Sequence, residues 1–266
     1  MLPFFFFSFR IGFGGKLMLN NESTGNQVEA STIALALMAL DELAKRKISQ
    51  KLSYKDVDLQ NFCDAIIAEN DDLQIELIDN LIQSGVSLEI IYEGFIPQTA
   101  ERLGNLWKES KLTFVEVNLG AQRLQRLSRV YENQYLGPIY ISSTHPDILL
   151  ILPQNEIHTL GLIVAAGIFK KNGANPFVAV GYSDKEIKEL IQSRNFLLIG
   201  YSISNSDNIH ECIKSSKEIK LFTKGKIPLV LGGQGVNDLP DHMNLTSFNL
   251  VTSEPKKALK FLPKAN

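Results

Sequence analysis

From Pro146 onward, short apolar runs alternate with amphipathic stretches, and this constrains the fold more than any other feature of the chain. The runs are DILLILP, PFVAVG, FLLIGYS, IPLVLGG and SFNLVTS. Each is strand-length and ends in turn residues. Between them, apolar side chains recur at helical spacing over about Leu160–Lys171, Asp184–Ser193 and Asn208–Leu221, and a closing helix is expected from Pro255. Gly173 is placed to cap the first of these. Strands separated by helices in this way predict a parallel sheet covered on both faces. Five strands predict a flavodoxin-like, Rossmann-type order, with any ligand at the carboxyl ends of the strands near the switch point.

Before this region the period is helical. Ile33, Leu37, Leu40 and Leu43–Ala44 form one stripe, and Phe62, Ile66, Leu73, Leu77 and Leu81 continue it in two further helices. Leu88, Ile91, Phe95, Thr99, Leu103 and Leu106 make a long stripe that Pro97 should kink. A last helix starts near Thr113, with Phe114, Val117, Ala121, Leu124 and Leu127 inward and Glu116 completing a capping box. The reading is a helical bundle over residues 26–136, a linker over Tyr135–His145, and an α/β domain over residues 145–266.

The start, MLPFFFFSFRIGFGG, is apolar but too short to span a bilayer and lacks the basic flank of a secretory signal. Residues 1–25 are read as disordered or misassigned, with Met18 as the true start; a membrane-touching anchor is the alternative. A formal charge of −2 argues against global attraction to nucleic acid or anionic membrane. Arg123, Arg126 and Arg129 share a helical face, read as solvated. Cys63 and Cys212 lie far apart in helical patterns, so neither a disulfide framework nor a zinc site is expected, and a cytoplasmic location fits.

Three features fall at the ends of strands one, three and four: Glu156–Ile157–His158 with Gly161, Ser202–Ile203–Ser204, and Gly232–Gly233. Strand ends on one edge converge, so these form one rim. The chain has four histidines, and His158 is the one at this rim with a carboxylate two residues before it. A neutral imidazole is a common metal ligand, and its second nitrogen needs an acceptor that Glu156 can supply. Taken alone, His158 would more simply cap the helix opening near Thr159; the other two rim features favour the ligand reading.

The spacing ExHxxG, 40 residues, SxS, 27 residues, GG resembles the cobalamin-binding signature DxHxxG…SxL…GG across Pro146–Leu262. The resemblance implies His158 as the lower axial ligand to cobalt and Glu156 as its partner. It places Thr159 and Gly161 in the binding loop, Ser202 on the nucleotide tail, and Gly232 and Gly233 along the tail slot. The departures are Glu156 for aspartate and Ser204 for leucine. The longer carboxylate is expected to loosen the histidine relay, and Ser204 to make the slot more polar. The run IYEGFIPQTAERLGNLWKESKLTFVEVNLG is similar to the helical cap that precedes such domains, which implies Trp107 and Glu116 over the upper face of the ring. Taken alone, Trp107 would be read as core.

More narrowly, LGNLWKESKLTFVEVNLGAQRLQRL and LVTSEPKKALKFL resemble antirepressors of the PpaA and AerR type, and also the SCHIC domain, a sensor containing haem instead of cobalamin. That resemblance implies a light- or redox-responsive regulator binding adenosyl- or hydroxocobalamin, or haem. It would act through contact with a transcriptional repressor, without direct nucleic-acid or membrane binding; no partner catalytic domain and no Ser–His–Asp arrangement stands out in the sequence, so enzyme activity is not expected. The alternatives are a corrinoid carrier in methyl transfer and a fold relic that only binds proteins. Carriers typically read DxHDIGK; here Thr159 and Leu162 depart from it. Residues 1–144 hold no histidine, so the upper axial position is expected to carry water, hydroxide or a small ligand.

Overall fold

The computed structural model describes residues 59–68, 70–137 and 145–263. The chain divides into two compact units, Met1–Lys55 and Asp56–Asn266, and every described residue belongs to the second. The phenylalanine-rich start, Met18 and the stripe from Ile33 to Ala44 lie outside the described residues.

All five expected strands form one parallel sheet. They are β1 (Asp147–Leu152), β2 (Asn175–Val180), β3 (Leu198–Ser202), β4 (Leu229–Gly232) and β5 (Leu250–Val251), in the order β2-β1-β3-β4-β5. The strand order reverses between β1 and β3, and that reversal opens the crevice where such folds hold ligands. β1 is central, and Ile148 to Leu152 are all buried. Alternate side chains serve opposite faces. Leu149, Ile151, Ile199, Tyr201, Leu229 and Leu231 pack against α7 (Asp184–Ser193) and α8 (Ile209–Phe222). Ile148, Leu150, Leu152, Leu198 and Val230 pack against α6 (Leu160–Lys171) and the closing turns. Those closing turns, Pro255–Phe261, are the expected closing helix, in 3₁₀ form.

The helical lobe comprises α1 (residues 59–67), α2 (Asp71–Gln83), α3 (Leu88–Ile90), α4 (Ile96–Lys108) and α5 (Phe114–Leu136). Between α3 and α4 the helix widens into one π-turn, Ile91–Phe95, in which the Ile96 amide donates to the Ile91 carbonyl. Pro97 has no N–H to give, and the π-turn takes up the mismatch just before it. Asn70 caps α2, and Thr113 with Glu116 forms the expected capping box of α5.

Three expectations change here. The linker starts later than predicted: Tyr135 and Leu136 still belong to α5, and Tyr135 is buried, stacked on Tyr92 with centroids 4.1 Å apart. Phe114, expected inward, is 65 % exposed, because α5 begins beyond the body of the bundle. The arginine face is not simply solvated. Arg123 donates to the Ile66 and Ile67 carbonyls at 2.8 and 3.1 Å, closing the end of α1, and Arg126 donates to Gln74 at 3.0 Å.

α6 joins the two lobes. Leu162, Ala166 and Phe169 face the sheet, while Leu160, Val164 and Ile168 complete the bundle core. Each such aliphatic side chain contributes roughly 1.5–3 kcal/mol on full burial. Gly167 sits where Tyr92 crosses the helix; a Cβ there would lie 2.5 Å from the Tyr92 hydroxyl and 2.8 Å from its ring. Gly161, in the same helix, has nothing within 4 Å of its would-be Cβ. Thermal denaturation should therefore separate two identical substitutions. Gly167→Ala should cost about 1–3 kcal/mol through overpacking against a stacked tyrosine, outweighing the helical gain of alanine. Gly161→Ala should be neutral or stabilising.

Candidate functional site

The loop after β1 turns at Pro153, whose carbonyl accepts from the Glu156 amide at 2.9 Å. That turn sends the Glu156 side chain inward, where it is 4 % exposed, and the His158 side chain outward, where it is 60 % exposed. Glu156 Oε1 lies 2.6 Å from His158 Nδ1 and also accepts the His158 backbone N–H at 3.0 Å. Its Oε2 accepts the Ser204 N–H at 3.0 Å and the Ser204 hydroxyl at 2.8 Å. The Ser204 oxygen also lies 2.9 Å from His158 Nδ1. Both carboxylate oxygens are thus satisfied within a buried site.

The longer carboxylate does not loosen the relay as expected. The two departures from the motif meet: the extra methylene of Glu156 accompanies a contact with Ser204, where a leucine would offer only its backbone N–H. Burial opposes the charge on Glu156, but hydrogen bonds from His158 and Ser204 outweigh it and hold the carboxyl at about 2. The hydrogen bond to that carboxylate raises the His158 imidazole above its ordinary 6.5, with burial opposing. The lowered carboxyl favours the fold above the usual carboxylate range, and this contribution fades as pH falls toward about 2. The raised imidazole contributes below 6.5 and loses its contribution as pH rises through its elevated value.

With Nδ1 engaged, Nε2 of His158 has no protein hydrogen-bond partner among the described residues. A carboxylate on Nδ1 fixes the tautomer whose Nε2 lone pair points away from the relay, which is the donor geometry of metal-bound histidines. His158 does not cap α6: Thr159 holds the N-cap position, and no side-chain cap bond is made. Among the described residues, no three of His, Cys, Asp and Glu gather into a metal cage. A metal held here would therefore bring most of its own ligands, as a planar macrocycle does.

The remaining candidates divide. Gly161 is exposed with open space at its Cβ, so packing within the chain does not explain the glycine, and close approach of a ligand would. Gly233 has φ +94°, and a Cβ there would lie 2.2 Å from the Ile203 carbonyl oxygen. The chain's own backbone therefore accounts for that glycine. Gly232 makes only ordinary contacts, and Ser202 ends β3 half-buried beside it in register. Glu116 spends its carboxylate on the cap of α5, accepting from the Thr113 N–H and hydroxyl at 2.7 Å each. Trp107 is 49 % exposed and tilts against Phe114, centroids 6.3 Å apart.

The sequence reading missed Gln125. Its side-chain amide donates to the Thr159 hydroxyl at 3.0 Å, tying α5 to the residue after His158. Farther along, Lys170 of α6 meets Glu132 of α5 at 2.6 Å, so the two helices run side by side in the same direction. The first turns of α5 therefore project past the start of α6. From Gln125 to Phe114 that overhang is roughly 16 Å at 1.5 Å per residue. It carries Trp107 and Phe114 to the carboxyl-end side of the sheet, where Ile157 is 78 % exposed beside His158. Exposed apolar groups on the same side of the sheet as a metal-competent imidazole suit a flat, largely apolar ligand.

No protein-family model matches the chain. A Rhodobacter capsulatus protein, described as an uncharacterized 20.5 kDa protein in the bchF-crtJ intergenic region, is 24 % identical over 178 residues, covering 67 % of this chain and 93 % of its own. Among solved structures, the monomethylamine corrinoid protein of Methanosarcina barkeri aligns with a TM-score of 0.63 at 14 % identity, covering 75 % of this chain and 94 % of that one. At that identity the likeness is one of fold, and it spans the described sheet and helical lobe of this chain. A cobalamin-binding protein from Desulfitobacterium hafniense DCB-2 aligns at a TM-score of 0.38 and 12 % identity, covering 78 % of this chain and 100 % of its own.

Two measurements follow from the relay. In an NMR titration, Glu156→Gln should lower the His158 pKa, because the carboxylate that stabilises the imidazolium is gone; an unchanged value would mean that the two are not coupled. In a double-mutant cycle, Glu156→Asp and Ser204→Leu together should cost less than the sum of the single changes, by roughly 0.5–3 kcal/mol. Simple additivity would show that the two departures are independent.

Proposed function

We propose that this protein binds a cobalamin-type tetrapyrrole between its helical lobe and its sheet, with His158 Nε2 as axial ligand to the metal. The observation that carries this reading is the orientation of the imidazole: Nδ1 is fixed by a buried carboxylate, and the other nitrogen is turned outward at a strand end. Glu156 and Ser204 hold the ring and its tautomer, Gly161 leaves room at the rim, and Trp107 and Phe114 offer an apolar cover. The macrocycle would supply the in-plane donors that a single imidazole cannot.

The role we infer is regulatory rather than catalytic, acting by contact with a repressor protein. Its support is the Gln125–Thr159 bond, which ties the lobe above the ring to the loop that bears the ligand. A change at His158 can then bias how α5 lies on α6, provided that the two arrangements differ in ligand affinity. The corrinoid-carrier reading fits the same fold, but the carrier motif's lysine position is held by Leu162, which is 2 % exposed in the sheet-facing core.

Absorbance and EPR spectra of the protein with hydroxocobalamin, adenosylcobalamin and haemin test the reading. One of these should bind with a nitrogen axial ligand whose signature His158→Ala removes. Binding of none, or an unchanged signature in the variant, would falsify the assignment. Hydrogen exchange then separates the roles: a regulator should change protection along α4 and α5 on loading. Identical exchange with and without pigment would leave the carrier reading.

A further inference from the structure

The far end of α8 carries a surface that the rim does not use. α8 starts after the Ser204 loop and ends where the chain returns to β4, so Phe222 lies at the amino ends of the strands, opposite His158. Lys217, Lys220 and Lys224 line one depression there, and Lys214 and Lys226 flank them in sequence. The single acid among them, Glu218, is engaged by Lys188 at 3.0 Å. In a chain of formal charge −2 this is a local concentration of positive charge.

A shallow open depression of about 580 Å³ is lined by Lys217, Lys220, Leu221, Lys224, Thr246 and Ser247. Lys220 is tied down, donating to the Thr246 carbonyl at 2.9 Å. Lys217 and Lys224 are exposed and, among the described residues, have no acidic partner within ion-pair distance. Leu221, between them, is 82 % exposed, and Phe222 beside it is 37 % exposed.

The helix dipole accounts for lysines in the last turn. It does not account for a leucine left in water among them. Nor does it account for Lys224, which sits past the end of the helix at φ +54°, a left-handed position that normally falls to glycine or asparagine. Gly225 follows directly and is left-handed as well. A lysine held at this backbone cost, beside an uncovered leucine, points to use of its charge.

We propose that this face docks an acidic protein segment that sets an apolar side chain against Leu221 and carboxylates against Lys217 and Lys224. Charge complementarity names the acidity of the partner, and the exposed leucine names its apolar anchor. A nucleic acid would use the lysines through its phosphates but would gain nothing from Leu221.

Fluorescence anisotropy tests this on the full chain, with a labelled amphipathic peptide of glutamate and leucine, labelled polyglutamate and labelled duplex DNA as probes. The amphipathic peptide should bind best, with affinity falling as salt is raised. Lys217→Glu should weaken it about tenfold or more, and Leu221→Ala about tenfold, the effect of losing a charge contact or an apolar anchor. Lys224→Gly should weaken binding while leaving the melting temperature unchanged or higher, which separates use of the charge from a structural role. His158→Ala, which removes the pigment's nitrogen signature, should leave peptide affinity where it was, so failure here is distinct from failure of the tetrapyrrole assignment. The proposal is overturned if polyglutamate or DNA binds as well as the amphipathic peptide, if Leu221→Ala is silent, or if sedimentation shows that the face is covered by a second copy of the chain.

Discussion

The structure depends on one helix being apolar on two sides. α6 lays Leu162, Ala166 and Phe169 on the sheet and Leu160, Val164 and Ile168 into the bundle, so neither core is complete without it. A helix that is hydrophobic all round must be buried all round. Here that requirement recruits the helical lobe to the sheet. Gly167 sets how closely they meet, since Tyr92 crosses the helix where a side chain would stand. Polar contacts then fix the seam: Gln125 to Thr159 at one end, and Lys170 to Glu132 at the other. Near the second end, Lys256 bridges Glu89 at 2.8 Å and Glu93 at 2.7 Å. Exposed ion pairs of this kind contribute little, about 0–1 kcal/mol each, so they orient a seam that apolar burial holds together.

The same helix places the site. Because α6 starts just after His158, the packing that docks the bundle also fixes where α5 overhangs the imidazole. Fold and site are therefore one problem: the overhang exists because α5 is longer than the part of it that α6 covers. The aromatic tip, Trp107 with Phe114, stays uncovered for that reason. A change at the His158 loop and a change in the lobe's seating pass through the same few residues.

Much of this was legible in the sequence because it rests on period and spacing. Strand-length apolar runs gave all five strands, and the flavodoxin-like order followed from their number and the helices between them. Capping chemistry placed the start of α5 at Thr113. What escaped were features set by tertiary contact. Arg123 closes the end of α1 from a distant helix, and no local pattern announces that. The end of α5 was misplaced because Tyr135 reads as a loop residue until its stacking on Tyr92 is known. The closing segment forms 3₁₀ turns, a choice between two helical forms that apolar spacing does not decide. Gly233 reads, from its strand-end place and the motif, as part of the tail slot, and the close Ile203 backbone gives that glycine a second reason that the sequence does not show.

The relay shows how a departure from a motif should be weighed. Considered singly, glutamate for aspartate lengthens the arm behind the histidine, and serine for leucine puts a hydroxyl where an apolar side chain is usual. Each alone reads as damage. A buried carboxylate with one oxygen on the imidazole needs donors for the other, since an unsatisfied buried charge is costly. Ser204 provides two, its amide and its hydroxyl. The serine hydroxyl in turn gains a charged acceptor that only a carboxylate long enough to reach it can supply. The pair satisfies itself, and it leaves His158 held from behind by a charge that cannot easily take a proton. An imidazole supported in that way is a firmer donor at its outer nitrogen than a free one, so the altered motif keeps the arrangement that a metal-ligating histidine needs.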